Sequence, residues 1–519
     1  MDDSETQSKP NRSPNVATSW PLVVLPLAKL IVHLATLGGY GVFRDELYYL
    51  ACSRRLAWGY VDHPPLSIAV LALQRALFGE SLLALRIVPA LVGALVVLLV
   101  GLTARRMGGG RFAQLLAMTA ALVAPYSLAI DHFYSMNAFE GLFWALAGWL
   151  LSGLLSSEDS TVRRWLPLGV VLGLGLLNKI SVLWLGAGLA VGLLLSPTRR
   201  MLRTAGPWVA GGLSLLLFAP YIIWQAANGW PTPEFIANAT GNKMLAISAW
   251  DFLRAQVTMM GPFTLPIWLA GLVWLFRRPN FRPLAWIWIT VLFILVVNGA
   301  SRPGYLAPAY AWLFAGGGVF WEQLTSGAWL RRWRWALPAL VLVSGIVIAP
   351  LALPVLPVDD YIAYAARLGE EPTTSERKEL SRLPQFYADM QNWRVFGETV
   401  ERAWQSLTPT ERATTAVFTS NYGEAGAVER FATDPELRAA VLSGHNNYWL
   451  WGPTERQVQT VISVSLDEED LRATFEQVEL FDRINCGDCM PYENHAKVLI
   501  ARGPRLTIQE IWPTLKHFD

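Results

Sequence analysis

WLPLGVVLGLGLLNKISVLWLGAGLAVGLLLSP, residues 165–197, decides the fold. These 33 positions are nearly uninterrupted apolar residues, broken by Asn178-Lys179 and flanked by Arg163/Arg164 and Arg199/Arg200. As one helix they would run about 50 Å at 1.5 Å per residue, too long for a bilayer core of about 30 Å. Arginines at both ends belong on the cytoplasmic side, which demands an even number of crossings. The economical reading is a hairpin of two short helices with Lys179 at its outer tip.

Working outward, apolar runs recur at 20–38, 82–104, 112–129, 138–156, 165–178, 181–197, 204–224, 260–276, 284–299, 305–321 and 335–357. The chain is 53% hydrophobic and only 16% charged, with 24 Trp, and soluble domains carry about 25% charge. Basic clusters fall at Lys9/Arg12, Arg105/Arg106/Arg111, Arg163/Arg164, Arg199/Arg200/Arg203, Arg277/Arg278/Arg282 and Arg331/Arg332/Arg334. With the N-terminus in the cytoplasm, every cluster lands on that side of eleven spans. The expected organisation is a cytoplasmic tail (1–19), a membrane domain (20–357) and an extracytoplasmic soluble domain (358–519). The first apolar run is longer than a secretory h-region and lacks a small-residue cleavage site, so it is read as a retained helix. A net charge of +2 and the absence of a basic stripe give no reason to expect a nucleic-acid partner.

Apart from Lys29, the charges attached to the spans gather on the outer side. They are Asp45, Glu46, Asp62, His63, Arg86, Asp131, His132, Glu140, Lys179, Asp251, Arg254 and Arg302. A transporter is expected to hold ionisable groups near the midplane. Gathering at one interface points instead to a cavity opening outward. In the first outer loop, FRDELYYLACSRRLAWGYVDHPPL (43–66), residues 45–56 suit a helix lying on the membrane surface. PPLSIAVLALQRALFG (64–79) suits a second interfacial helix with proline in its first turn. Tyr48, Tyr49, Trp58 and Tyr60 fit the headgroup region. Nucleotide sugars are cytoplasmic, so an enzyme working outside needs a donor that crosses the membrane, such as a polyprenyl-phosphate sugar. Its phosphate would require a cation, with Lys179, Arg86 and Arg302 as candidates. Its acceptor hydroxyl would require a base, with Asp45 as candidate. The competing readings are a transporter or flippase of lipid-linked sugars, and a non-catalytic membrane receptor.

RDELYYLA and GYVDHPPL resemble the first external loop of GT-C membrane glycosyltransferases, the bacterial relatives of dolichyl-phosphate-mannose protein mannosyltransferases and of lipid A aminoarabinose transferase. DHFYSMNAFEGLFWAL (131–146), GLGLLNKISVLW (173–184), IIWQAANGWPTPEF (222–235) and SRPGYLAPAYAWLFAGG (301–317) resemble that family's later external motifs, in order and on one side. The resemblance implies an α-helical polytopic GT-C fold and a glycosyltransferase using a polyprenyl-phosphate sugar, with a glycan, lipid or protein acceptor. It also implies an inverting reaction with Asp45 as base and Lys179 and Arg302 on the lipid phosphate, beside Tyr305. Asp62 and His63 would line the sugar or acceptor pocket, with Glu46, Tyr48, Arg86, Asp131, His132 and Asn137 around it. Many relatives carry an acid where this chain has Asn137, so a divalent metal stays open, with Glu46, His63 and His132 as possible ligands. Lys179 also admits a snorkelling role, Arg86 a pairing with a loop acid, and Arg302 a bilayer-anchor role. Lys29 is read as reaching the interface or a polar groove, with no role in the site.

The tail reads as mixed α/β. Residues 412–432 suggest a strand, a polar turn and a helix, and 441–452, 459–466 and 495–503 further strand-like runs. SNYGEAGA lacks the glycine spacing and lysine of a phosphate loop. NYGEAGA and SGHNNYWLWG resemble the C-terminal region of many bacterial relatives. Cys486 and Cys489 in NCGDC suit a local disulfide in an oxidising compartment, with free or metal-bound thiols as alternatives. Cys52 has no evident partner.

Overall fold

The computed structural model describes residues 19–157 and 161–519. Most of the expected cytoplasmic tail, with Lys9 and Arg12, lies outside the described residues.

The expected spans fall on helical segments, although 112–129 is divided at Ala124 and 260–276 starts across a sharp bend after Met260. The decisive stretch is two helices of 13 residues, Leu166–Asn178 and Val182–Leu194, joined at an extended Lys179. Glycines explain how such short helices hold their places. A Cβ added at Gly169 would lie 2.8 Å from the Ala210 carbonyl oxygen, and one at Gly173 2.7 Å from Leu217. Those residues belong to the long helix Ala205–Ala227. On the second arm, a Cβ at Gly188 or Gly192 would strike the backbone of Ile287 or Pro283 at 2.8 Å and 2.7 Å, in helix Arg282–Asn298. Each arm thus presents a Gly-x-x-x-Gly stripe to one neighbour. Among lipid chains, where apolar burial no longer drives association, this close backbone approach holds helices together.

Four helices are individually long and apolar enough to cross a bilayer: Leu82–Arg106, Met136–Leu155, Ala205–Ala227 and the stretch Ala328–Ala352. The number rises to six if two bent pairs each count as one span. Other expected spans are shorter apolar helices such as Pro21–Ala35 and Arg111–Val123. Exposed leucines, valines and tryptophans cover their outer faces, for example Trp208, Leu216, Ile223, Phe293 and Ile346. That surface suits lipid rather than water.

The C-terminal part starts at helix Val358–Leu368 and builds one five-stranded sheet. Its strands are β1 (Thr415–Thr419), β2 (Val441–Ser443), β3 (Thr460–Val464), β4 (Phe475–Arg483) and β5 (Lys497–Pro504), in the order β2-β1-β3-β5-β4. β1 runs parallel to β2 and β3, while β5 is antiparallel to β3 and β4. The expected strand, turn and helix at 412–432 are β1, Ser420-Asn421 and helix Tyr422–Phe431, whose first N–H groups the Asn421 side chain caps. The run 441–452 is a strand only to Ser443 and then turns into the short helix Asn447–Leu450. β4 was not expected. It is an edge strand whose residues are mostly exposed, so FEQVELFDR lacks the apolar signal of a buried strand. Cys486 and Cys489 form a disulfide, and Cys52 is free and buried.

The first-loop helices form at Arg44–Arg54 and Leu66–Phe78. The first does not lie on a membrane surface as expected. Leu47, Tyr48, Tyr49 and Leu50 are buried in one core with Trp393, Val428 and Tyr422 of the C-terminal part. Tyr60 is also fully buried, and of the expected headgroup aromatics only Trp58, at 63%, is exposed.

Candidate active site between the first loop and the C-terminal domain

Helix Arg44–Arg54 begins with two acids that point to different fates. Glu46 is fully buried. Its Oε2 accepts the Phe43 N–H at 2.8 Å, closing the helix's own N-terminus. Its Oε1 accepts the Tyr134 N–H at 2.8 Å from the second external motif. Arg86 donates to both oxygens, at 3.2 and 3.0 Å, and to the Gly41 carbonyl at 2.8 Å. All the donors Glu46 can satisfy are therefore protein groups. Glu46 and Arg86, expected around the substrate pocket, form a buried pair that ties two loops and a long apolar helix together, with Arg86 taking a loop acid as partner.

Asp45, the next residue back, keeps 35% of its side chain exposed. Its Oδ1 accepts the Tyr422 hydroxyl at 3.0 Å and lies 3.7 Å from Arg44 Nε. Beside it, the Tyr48 hydroxyl bonds Asp62 Oδ1 at 3.0 Å and Asn447 Oδ1 at 3.1 Å. Asn447 Oδ1 also accepts the Val61 N–H at 2.7 Å. The Tyr48 and Tyr422 rings pack at 4.7 Å. Burial pushes the Asp62 carboxyl above its usual range, partly offset by His63 and the Tyr48 bond. His63 is fully buried, stacked on Tyr49 at 4.8 Å, with Nε2 3.8 Å from Asp62. Asp45, Tyr48, Asp62 and His63 are thus brought together as expected. His63 acts from behind Asp62 rather than lining an open pocket.

Like Arg86, the other two expected phosphate cations are held by acids. Lys179 Nζ bonds Glu140 Oε2 at 2.6 Å and Asn137 Oδ1 at 2.8 Å, and sits 4.6 Å from the Tyr305 ring centroid. Ser181 takes the other Glu140 oxygen in a very short hydrogen bond. The amide of Asn137 therefore does neutral work beside an acid one helical turn on. Arg302, 39% exposed, bonds Glu376 Oε1 at 2.7 Å, and Arg44 approaches the same oxygen at 3.8 Å. Asp45 and Tyr305 also act electrostatically on Arg302. Burial would raise the Glu376 carboxyl, but Arg44, Lys243 and Arg302 outweigh it and hold the group down at about 2.

Asp131 is not part of this grouping in the expected way. It forms an ion pair with Lys29 at 2.9 Å, and Lys29 also bonds the Ser127 carbonyl at 3.1 Å. Lys29 therefore serves as the counter-charge of Asp131, a role its sequence context did not suggest. Asp131 and Asn137 line a cavity of about 50 Å³ walled by Tyr126, Tyr310 and Phe314. His132 is buried against His33, with ring centroids 5.9 Å apart. Glu46, His63 and His132 thus fail as a metal set, because Glu46 is spent on Arg86 and backbone N–H groups and His132 lies with His33. Among the described residues, His445, His517 and Asp519 do place donor atoms within 4.8 Å of one another. Their nitrogens are engaged: His445 faces the Tyr422 N–H and Asp519, and His517 faces the Leu515 and Ser420 carbonyls. Lys243 adds a nearby positive charge. This donor set is a hydrogen-bonded clasp.

Three residues escaped the sequence reading. Tyr422 and Asn447 lie in NYGEAGA and SGHNNYWLWG, which stood out in the tail but carried no link to the first loop. Glu376 lies in TTSERKEL, which carries no signal; it reaches the site because Met244 pairs with it as an isolated bridge.

Residues 62–224 match the dolichyl-phosphate-mannose-protein mannosyltransferase family. The chain is 24% identical over 345 residues to lipid A galacturonosyltransferase RgtD of Rhizobium johnstonii, covering 64% of this chain and 70% of that one. It is 24% identical over 324 residues to undecaprenyl phosphate-alpha-4-amino-4-deoxy-L-arabinose arabinosyl transferase 1 of Pseudomonas fluorescens, covering 56% and 57%. The match therefore spans little more than half the length of that second relative. ArnT from Cupriavidus metallidurans, in the crystal structure bound to undecaprenyl phosphate, superposes with a TM-score of 0.62 at 16% identity, over 94% of this chain and all of that one. The chain shares the fold of that GT-C structure, and its residues 62–224 match the mannosyltransferase family model.

Proposed function

We propose that this protein is a membrane glycosyltransferase that moves a sugar from a polyprenyl-phosphate carrier to an acceptor hydroxyl at the outer face of the cytoplasmic membrane. The observation that carries the reading is the contrast at the helix start: Glu46 is sealed into the scaffold, while Asp45 keeps an open flank within electrostatic reach of Arg302. The similarity to an undecaprenyl phosphate-alpha-4-amino-4-deoxy-L-arabinose arabinosyl transferase supports the donor class, and that to a lipid A galacturonosyltransferase supports sugar transfer.

In this reading Asp45 takes the proton of the acceptor hydroxyl as that oxygen bonds the anomeric carbon. The bond from that carbon to the phosphate oxygen breaks on the opposite face, so configuration inverts. The electron pair leaves with the phosphate, where Lys179 and Arg302 meet the growing charge. Glu140 and Glu376 are the acids that pair with those cations. Tyr305 holds Lys179 in place through its ring face. The one-sided placement of arginines in the sequence supports an N-terminus in the cytoplasm and residues 358–519 outside.

The test is to incubate the purified protein and its Asp45→Asn variant with radiolabelled polyprenyl-phosphate sugars and membrane extract. Labelled acceptor from the wild type alone is the expected result. Equal transfer by both would remove Asp45 from the mechanism, and no transfer by either across a broad donor panel would reject the reaction.

A further inference from the structure

A second charged cavity lies away from the candidate active site, at the far end of the same helix. It measures about 260 Å³ and is lined by Arg54, Arg55, Glu429, Pro435, Arg438 and Ala439. Three guanidinium groups line it against Glu429, and with Glu80 holding Arg54 from outside the lining it keeps a net positive charge. Glu429 holds Arg54 at 3.3 Å and Arg55 at 2.9 Å. Arg55 is also fixed flat over Trp451, 4.3 Å from the ring centroid. These contacts place two guanidinium groups in set positions yet leave N–H donors over, since each carries five. Arg438 is exposed and has no ion pair among the described residues. Planar, pre-positioned guanidinium groups match phosphate oxygens better than any other side chain does.

The surroundings say where that phosphate comes from. Leu56 and Trp58 follow directly on Arg55 and are 64% and 63% exposed. Leu73, Leu77 and Phe78 of the apolar helix Leu66–Phe78 are 62–65% exposed. Arg75 ties that helix to the arginine cluster, through the Ser53 carbonyl at 3.2 Å and Glu80 at 3.5 Å, and Arg54 holds the same Glu80 at 2.8 Å. Positive charge thus adjoins bare apolar side chains. That combination fits the boundary between headgroups and acyl chains, where basic pockets take anionic lipid.

We propose that the Arg54–Arg55–Arg438 cavity binds the phosphate headgroup of an anionic phospholipid, separately from the donor phosphate at Lys179 and Arg302. It would seat the first loop and the C-terminal part on the bilayer surface at a fixed height. The site stands whether or not the glycosyltransferase reading does, because binding alone is measured. The full-length protein, solubilised in neutral detergent, is titrated with labelled phosphatidylglycerol or phosphatidylcholine, with and without excess inorganic phosphate. Wild type should bind phosphatidylglycerol saturably and phosphatidylcholine not at all, with inorganic phosphate a poor competitor. Arg438→Ala, at an exposed position where folding is safe, should weaken phosphatidylglycerol binding roughly fivefold, and adding Arg55→Ala roughly fivefold again. Arg438→Lys should restore most of the loss. Equal binding of both lipids, no effect of Arg438→Ala, or full displacement by inorganic phosphate, which would mark a free-anion site, would each overturn the proposal.

Discussion

Two adjacent carboxylates at the start of one short helix differ by what surrounds them, and that difference can be measured. Glu46→Ala would strand the Arg86 guanidinium in a fully buried place, and breaking one half of a buried pair costs about 3–5 kcal/mol. The expected outcome is a large fall in thermal midpoint of the solubilised protein. The double change Glu46→Met with Arg86→Leu should recover part of it, since it removes the stranded charge but leaves the Phe43 and Tyr134 N–H groups without their acceptor. Asp45→Ala touches no such pair and should leave the midpoint nearly unchanged while abolishing transfer. Tyr422→Phe probes the boundary between these roles. It keeps the ring packed on Tyr48 and removes only the hydroxyl that fixes the Asp45 carboxylate. Steady-state kinetics should show kcat reduced about tenfold with KM little changed, because the base is present but less well aimed. An unchanged kcat would make the Tyr422 hydroxyl a packing feature only.

Among the elements, the pair of helices was legible in the sequence because the apolar run is too long for one crossing and Asn178-Lys179 marks the break. Its glycine stripes were visible too, but which helix each faced was not, because that needs the positions of residues 205–227 and 282–298. Replacing Gly188 by Leu would drive a side chain into the Ile287 backbone. Overpacking costs about 1–3 kcal/mol, and here it also shifts helix Val182–Leu194, which starts just after the turn that holds Lys179, so activity should fall further than stability. Helix Tyr422–Phe431 carries a pH signature of its own. Glu424 in its first turn is fully buried, and burial pushes its carboxyl up to about 7, with its Ser420 and Asn421 bonds opposing. A raised carboxyl means that the folded state holds a proton which the unfolded chain gives up near its ordinary value of 4.5. The stability this group contributes is therefore full below about pH 4.5 and drains away as pH rises to about 7, by roughly 3 kcal/mol in all. Thermal midpoints should fall between pH 5 and 7.5 in the wild type and fall less in Glu424→Gln, which stays neutral throughout. An identical slope in both would show that Glu424 is already paired or hydrated.

For the whole molecule, composition separated a membrane part from a tail but said nothing of how tightly the two are joined. The joining contacts link residues hundreds of positions apart, Tyr48 with Asn447 and Arg55 with Glu429, and no local pattern encodes them. The same blindness placed helix Arg44–Arg54 on a membrane surface, since its tyrosines look the same facing lipid headgroups or Trp393 and Val428. The consequence is that the tail is half of the site's wall rather than an appendage. A chain ending at residue 357 would keep every apolar helix up to Ala352 and so should still insert into membranes. It would lose the core that covers Leu47, Tyr48 and Tyr49 and the acid that holds Arg55. Uncovering three large side chains costs about 1.5–3 kcal/mol each, more than a single short surface helix can supply for itself. Limited trypsin digestion of membranes should therefore cut the truncated chain at Arg54 and Arg55 under conditions where the full chain resists, and transfer should be absent. Supplying residues 358–519 as a separate soluble chain should restore protection only if that part folds alone and finds the exposed helix. Protection without added domain would show that the first loop is a self-standing element and that the tail serves some other end.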